Sequence, residues 1–260
     1  DRDLRVIEGN ERVLKARLSD ASYFFENDIA NTFENWNEKL KHVLFYESLG
    51  SLHDKIIRIA NISKIFAKVF GVKSELAKKA AILSKSDLVS EMVMEFPELQ
   101  GIMGGHYAKI KNEHEEVTKA IFEHYKPKGV SDDLPETKLG SLLSMVDKID
   151  TLVGFFSIDK KPTGSKDPFA LRRNSFSIVQ ILINFKINLS LNELLEPSLK
   201  EYGCSSKLIK RNLIDFMIDK LKFVLSDQKN RIDVVNSVLN IKIVTDIPIK
   251  IISSRIESIS

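Results

Sequence analysis

Thiol chemistry is nearly absent from these 260 residues, in which Cys204 is the single cysteine. That excludes an internal disulfide and a cysteine-built zinc site, and it suits a reducing compartment in which Cys204 is a small buried apolar residue. Proline and glycine are sparse too, at 7 and 11 residues. So little punctuation, with few alternating apolar and polar runs, argues against a sandwich or barrel of short strands and for an all-α fold. No apolar run approaches the roughly 18 residues of a membrane-spanning helix, and the opening Asp1-Arg-Asp-Leu-Arg5 has no basic-then-apolar leader. A soluble, cytoplasmic protein without a membrane partner is expected. The chain starts on Asp1 rather than methionine, so a piece of a longer chain is expected as well. Charge of one sign is not in excess: 39 Lys plus Arg face 36 Asp plus Glu. Any nucleic-acid contact must therefore come from a local patch.

Familiar catalytic spacings are missing. Thr163-Gly-Ser-Lys166 superficially resembles a phosphate-binding loop, but it lacks the GxxxxGK[ST] spacing and no strand precedes it. No Ser/His/Asp or Cys/His nucleophile set can be assembled, and no catalytic residue is assigned.

What the chain does have is amphipathic helix. Val13, Leu18, Ala21 and Phe24/Phe25 predict a helix over about Gly9–Asp28, and the polar run Asn31–Trp36 breaks it. Leu40, Val43, Leu44 and Leu49 form a short apolar segment, after which Gly50-Ser51 reads as a stop and a new N-cap. Leu52, Ile56, Ile59, Ser63, Phe66 and Phe70 then repeat at helical intervals up to Gly71, a C′ residue. Further helices are expected over Leu76–Leu83, Ser86–Met94, Glu98–Ile110, Glu113–Tyr125 and Lys138–Ile158, with a polar loop at Pro127–Pro135. Gly101, Gly104 and Gly105 permit close backbone approach. In the Lys138–Ile158 helix, Met145, Ile149, Leu152 and Phe156 lie opposite Asp147, Asp150, Thr151 and Gly154. Leu191–Leu195, Leu208–Leu225, Val234–Leu239 and Pro248–Ile259 complete the set, past a soft boundary near Asn188.

Backbone punctuation and cationic side chains concentrate in Lys161-Pro-Thr-Gly-Ser-Lys-Asp-Pro-Phe-Ala-Leu-Arg-Arg173. Pro162 and Gly164 make it a loop, while Asp167-Pro168 reads as an N-cap and first helical residue, predicting a helix from Pro168 to about Phe185. Lys160, Lys161, Lys166, Arg172 and Arg173 face one acid, Asp167. Two readings stand: a solvated loop entering a core helix, or an anion clamp aided by the helix N-terminus. Internal pairing of these cations with Asp147 or Asp150 is a further alternative.

His53-Asp54 is the residue pair of metal-dependent HD phosphohydrolases, which hold water-activating divalent ions on histidines and aspartates. Here the pair opens a helix. The segment that resembles the HD helix end is instead Ala81-Ile-Leu-Ser-Lys-Ser-Asp87, with Ser84-Lys85 where ligands would stand. Asp147 matches the last ligand position, and His106 and His124 are candidate remnants of others. The pattern resembles an HD-like scaffold whose metal site is dismantled, so no metal is assigned. Asp147 and Asp150, one turn apart, could form an acid–base pair, although a salt-bridged or solvated face is the plainer reading. His42 and His114 read as surface residues.

Six blocks carry a resemblance to a known family. They are Glu8-Gly-Asn-Glu-Arg-Val-Leu-Lys-Ala-Arg-Leu-Ser-Asp-Ala-Ser-Tyr-Phe-Phe25, Leu49-Gly-Ser-Leu-His-Asp-Lys55, Leu83-Ser-Lys-Ser-Asp-Leu-Val-Ser-Glu-Met-Val93, Glu95-Phe-Pro-Glu-Leu-Gln-Gly-Ile-Met-Gly104, Asp147-Lys-Ile-Asp-Thr-Leu-Val-Gly-Phe-Phe156 and Pro162–Arg173. In this order they resemble the β subunits of bacterial heterotetrameric glycyl-tRNA synthetases, over about residues 5–240. The resemblance implies a complex of two α and two β subunits that uses ATP and magnesium to attach glycine to tRNA(Gly), with the class II active site on the α subunit. It implies for this chain an N-terminal helical segment (1–50), an HD-like helical domain with the loop (51–187) and a helical bundle segment (188–260), truncated before an anticodon-binding module. The expected role is tRNA binding and α-subunit docking, with no cofactor in this segment and with Lys166, Arg172 and Arg173 on tRNA phosphates. Ser84, Lys85, His106, His124 and Asp147 would mark the vestigial HD-like site. A nucleotide-directed HD phosphohydrolase and a pure docking scaffold are the competing classes.

Overall fold

The computed structural model describes residues 2–129, 132–227, 231–239 and 244–259. Asp1, residues 130–131 of the polar loop, and 228–230, 240–243 and 260 of the C-terminal segment lie outside the described residues.

Helices α1 (Arg2–Ala30) and α2 (Phe33–Leu40) lead into a small antiparallel hairpin, β1 (Leu44–Tyr46) with β2 (Gly50–Ser51), in which Leu44 lies opposite Ser51 and Tyr46 opposite Gly50. Then come α3 (Leu52–Phe70), α4 (Ser74–Leu83), α5 (Glu91–Glu95), α6 (Ile102–Ile110), α7 (Glu115–Glu123) and α8 (Lys138–Ser157). After the cationic loop follow α9 (Leu171–Asn184), α10 (Leu191–Glu201), α11 (Lys207–Asp227), α12 (Ile232–Leu239) and α13 (Ile249–Ile259). The fold is all-α apart from that hairpin.

Helix α8 is the hub, packed by α3, α4, α7, α9, α10 and α11. Its apolar side, Met145, Ile149, Leu152 and Phe156, is buried as the periodicity requires, yet Asp147, Asp150 and Gly154 on the other side are buried too. The second side is covered because α3 supplies cations to those carboxylates and Tyr202 closes over Gly154. A Cβ at Gly154 would lie 2.5 Å from the Tyr202 hydroxyl.

Local chemistry sets the helix ends. Ser51 and Asp54 form a capping box on α3: Ser51 Oγ accepts from Asp54 N at 3.1 Å, and Asp54 Oδ2 accepts from Ser51 N at 2.8 Å. The His53-Asp54 doublet is thus part of a cap. The break expected over Asn31–Trp36 shrinks to two residues, because Thr32 accepts from Asn35 N and starts α2. Trp36 is then fully buried against Phe33 and Tyr107. Ser86–Met94 divides into a tight turn at Ser86–Val89 and α5, whose cap Ser90 accepts from Val93 N. Helix α1 starts earlier than the apolar spacing predicted; residues 5–20 are exposed, and Ala21, Phe24 and Phe25 join the core. Cys204 is half-buried rather than buried.

The glycine cluster acts as the spacing suggested. A Cβ on Gly105 would sit 2.4 Å from the Phe122 ring, so α6 and α7 touch only because that side chain is missing. Gly105→Ala is expected to destabilise the protein by about 1–3 kcal/mol through overpacking. Gly9→Ala, with nothing within 4 Å, should be neutral or stabilising by up to about 1 kcal/mol. Urea unfolding of the two variants side by side checks the contrast.

Candidate functional site

The cationic loop is held from below. Phe169 stacks on Phe155 of α8 with centroids 3.8 Å apart and meets Tyr46 of β1 edge-on at 5.5 Å. Thr163 and Lys166 close its tip, with Thr163 N donating to Lys166 O (3.1 Å) and Lys166 N to Thr163 O (2.8 Å) around Gly164, whose φ is +49°. Only glycine enters that region freely.

The helix after the loop begins at Leu171, not Pro168, and ends at Asn184. Ala170 is held in a left-handed conformation by the docked Phe169, and Asp167 caps the helix from farther back. Its carboxylate accepts from Leu171 N at 2.8 Å and Arg172 N at 2.9 Å. The first N–H groups of α9 are thereby taken by Asp167, so anion attraction here rests on side chains. Arg172 spends one N–H on Gly164 O at 2.7 Å. Lys166 and Arg173 are exposed and carry no ion pair among the described residues.

Asp147 and Asp150 do not pair with the loop cations. Their partners are Lys55 and Arg58 of α3 and Lys85, all buried. Lys55 Nζ bridges Asp147 Oδ1 (2.9 Å) and Asp150 Oδ2 (3.1 Å) and donates to Thr151 Oγ1 at 2.7 Å. Arg58 donates from Nε to Asp150 Oδ1 (2.7 Å) and from Nη2 to Oδ2 (3.3 Å), while its guanidinium lies over the Tyr202 ring. The Tyr202 hydroxyl completes the shell of Asp150 at 3.1 Å.

Lys85 occupies the place where His124 and Asp147 converge. Its ammonium is 2.7 Å from Asp147 Oδ2, 3.0 Å from His124 Nε2 and 3.8 Å from the centre of the Tyr125 ring. Burial and the Lys85 charge push the His124 imidazole well below its ordinary pKa. It is neutral, with Nε2 accepting from Lys85 and Nδ1 donating to Ile121 O at 2.7 Å. Burial alone would raise the Asp147 carboxyl, but Lys55 and Lys85 hold it well below the usual range. The structure thus joins Lys85, His124 and Asp147. Neighbouring Ser84 bonds back to Ala81 O, and His106 lies apart on the surface against Phe122. His42 is exposed, and His114, also exposed, caps α7 through Nδ1. Among the described residues there is no cluster of three His, Cys, Asp or Glu side chains able to hold a metal ion, and no helix is long and apolar enough to cross a membrane.

Above this cluster opens a cleft of about 420 Å³ lined by Tyr125, Lys128, Asp147, Lys148, Thr151 and Arg173. Lys148 is buried and has no carboxylate partner: its ammonium donates to Ser144 Oγ (2.8 Å) and Lys126 O (3.1 Å). Burial pushes its pKa down to about 7, and Asp147 only partly opposes that. The sequence reading missed Lys55, Arg58, Lys148 and Phe169. The one available signal was that Lys55 and Arg58 stand one turn apart beside the apolar stripe of α3, as Asp147 and Asp150 do on α8.

The chain as a whole resembles known proteins of one family. A family model described as "Glycyl-tRNA synthetase beta subunit" matches residues 1–240. The chain is 40% identical over 243 residues to the "Glycine--tRNA ligase beta subunit" of Sulfurihydrogenibium sp. (strain YO3AOP1), covering 93% of this chain and 34% of that protein. It is 47% identical over 238 residues to the protein of the same name from Rickettsia bellii (strain OSU 85-389), covering 92% of this chain and 35% of the relative. The chain thus spans about a third of the length of these relatives.

Proposed function

Because this chain belongs to the glycyl-tRNA synthetase beta subunit family, we propose that it is the tRNA-binding and α-subunit-docking part of a β subunit. In this reading a cytoplasmic complex of two α and two β subunits joins glycine to tRNA(Gly), using ATP and magnesium at an active site on the α subunit. The observation that carries it is the anchored loop, which presents Lys166, Arg172 and Arg173 without a carboxylate partner among the described residues. Arginine suits this task because its planar fork meets phosphate oxygens bidentately. Arg173 is the strongest candidate, since Arg172 already holds Gly164.

The same reading makes 51–187 an HD-like domain without phosphohydrolase activity. What supports this is Lys85, whose ammonium supplies between His124 and Asp147 the positive charge that a metal ion would bring. The experiment uses the full-length protein with its α subunit and tRNA(Gly). Both should be retained by the unmodified protein, and the Lys166→Ala/Arg172→Ala/Arg173→Ala variant should keep the α subunit while losing most tRNA affinity. Unchanged tRNA affinity in the folded variant rejects the RNA role and leaves a docking scaffold. Stoichiometric bound metal with phosphate release from nucleotides would establish the phosphohydrolase instead.

A further inference from the structure

The cleft beside the loop has a charge arrangement that neither the core nor the loop explains. Lys148 is a buried ammonium whose two hydrogen-bond partners, Ser144 Oγ and Lys126 O, are both neutral. Three N–H bonds are available to a lysine, so one is left over. The Asp147 carboxylate is engaged by Lys55 and Lys85 and offers Lys148 no hydrogen bond. Toward the mouth, Lys128 and Arg173 are exposed and without an ion pair among the described residues, and Glu98 is the one other acid on the wall. A buried cation whose nearest carboxylate, Asp147, is already shared by Lys55 and Lys85 is expensive unless a further anion can reach it.

The rest of the wall is suited to more than a simple ion. Gln100, Asn174 and Tyr125 line the same space, and their side-chain polar atoms make no hydrogen bond within the described residues. A volume of about 420 Å³ falls in the range of small-molecule sites, about 300–1,000 Å³, and a lone phosphate would leave most of it empty. We propose that this cleft binds a nucleoside monophosphate, with the phosphate between Lys148 and Arg173 and the nucleoside against Tyr125, Gln100 and Asn174.

The site shares Arg173 with the loop proposed to meet tRNA, but Lys148 lies outside that loop and a free nucleotide tests the cleft apart from tRNA binding. Calorimetric titration of the full-length protein with AMP, adenosine, inorganic phosphate and a short oligoadenylate decides the matter. AMP is expected to bind once per chain, with adenosine and inorganic phosphate each weaker by about tenfold or more. Lys148→Met and Arg173→Ala should each weaken AMP by about tenfold or more. Since Lys148 is buried, the surface variant Arg173→Ala, and Gln100→Ala, which should weaken AMP but leave inorganic phosphate unchanged, keep the test valid if Lys148→Met fails to fold. Oligoadenylate that displaces AMP and shares its sensitivity to Arg173→Ala supports the site and assigns the nucleotide to a strand. No AMP binding in the millimolar range, or AMP binding indifferent to Arg173→Ala, overturns the site. Inorganic phosphate binding as tightly as AMP overturns the nucleoside assignment.

Discussion

Asp150→Ala is expected to lower the free energy of unfolding by about 3–5 kcal/mol, the range for removing one partner of a buried ion pair. Asp150 is fully buried and binds Lys55, Arg58 and Tyr202 at once. Without it Arg58 keeps one hydrogen bond, to Leu49 O at 3.2 Å, and a buried guanidinium is left without a carboxylate. The cost arises from the charges left behind, not from the worth of the pair, so Asp150→Asn, which retains an acceptor, should cost less than alanine. For a chain of this size each kcal/mol moves the thermal midpoint by about 2–4 °C. Denaturant unfolding gives the free energy directly, and a loss below about 1 kcal/mol would mean that water solvates the cluster far better than its burial implies. The loss should be felt across the molecule, since Asp150 ties α3 and α8 to Tyr202 at the end of α10.

The second large effect belongs to Asp28. This buried carboxylate at the end of α1 accepts from Glu91 N (2.9 Å), Met92 N (3.0 Å) and the Tyr107 hydroxyl (2.6 Å), so it caps α5 from another helix. Asp28→Ala orphans three donors. At about 1–3 kcal/mol for each unsatisfied buried group, a loss of about 3 kcal/mol or more is expected. Tyr107→Phe removes one of the three bonds and should cost about 1 kcal/mol. Equal losses in the two variants would show that the backbone donors of α5 find water, and that Asp28 is not what docks α1 on the body.

Much of this architecture was legible in the chain. The all-α class, the α3 stripe, its Gly71 stop and the Ser51 cap follow from apolar spacing and cap chemistry, which are local properties. The loop's cations and its punctuation were legible for the same reason. The buried cluster was not. Charged residues beside an apolar stripe are read as solvent-facing by default, and Lys55 and Arg58 change meaning only once α3 lies against the carboxylates of α8. That pairing spans more than ninety residues of sequence. The start of α9 was misplaced because Asp167-Pro168 carries a good local cap signature, whereas the stacking of Phe169 on Phe155 is a tertiary event that delays the helix to Leu171. His124 and Asp147 were named from family resemblance; that Lys85 would sit between them as their shared cation required the fold.

The central claim is that unpaired cations on the anchored loop meet tRNA phosphates, and the most direct measurement is the salt dependence of tRNA(Gly) binding by the full-length protein with and without Arg173→Ala. Loss of one phosphate contact lowers the slope of log affinity against log salt by about one. The account predicts that decrease with an unchanged unfolding midpoint, because Arg173 makes no ion pair within the described residues. Unchanged slope and affinity in the folded variant would contradict it.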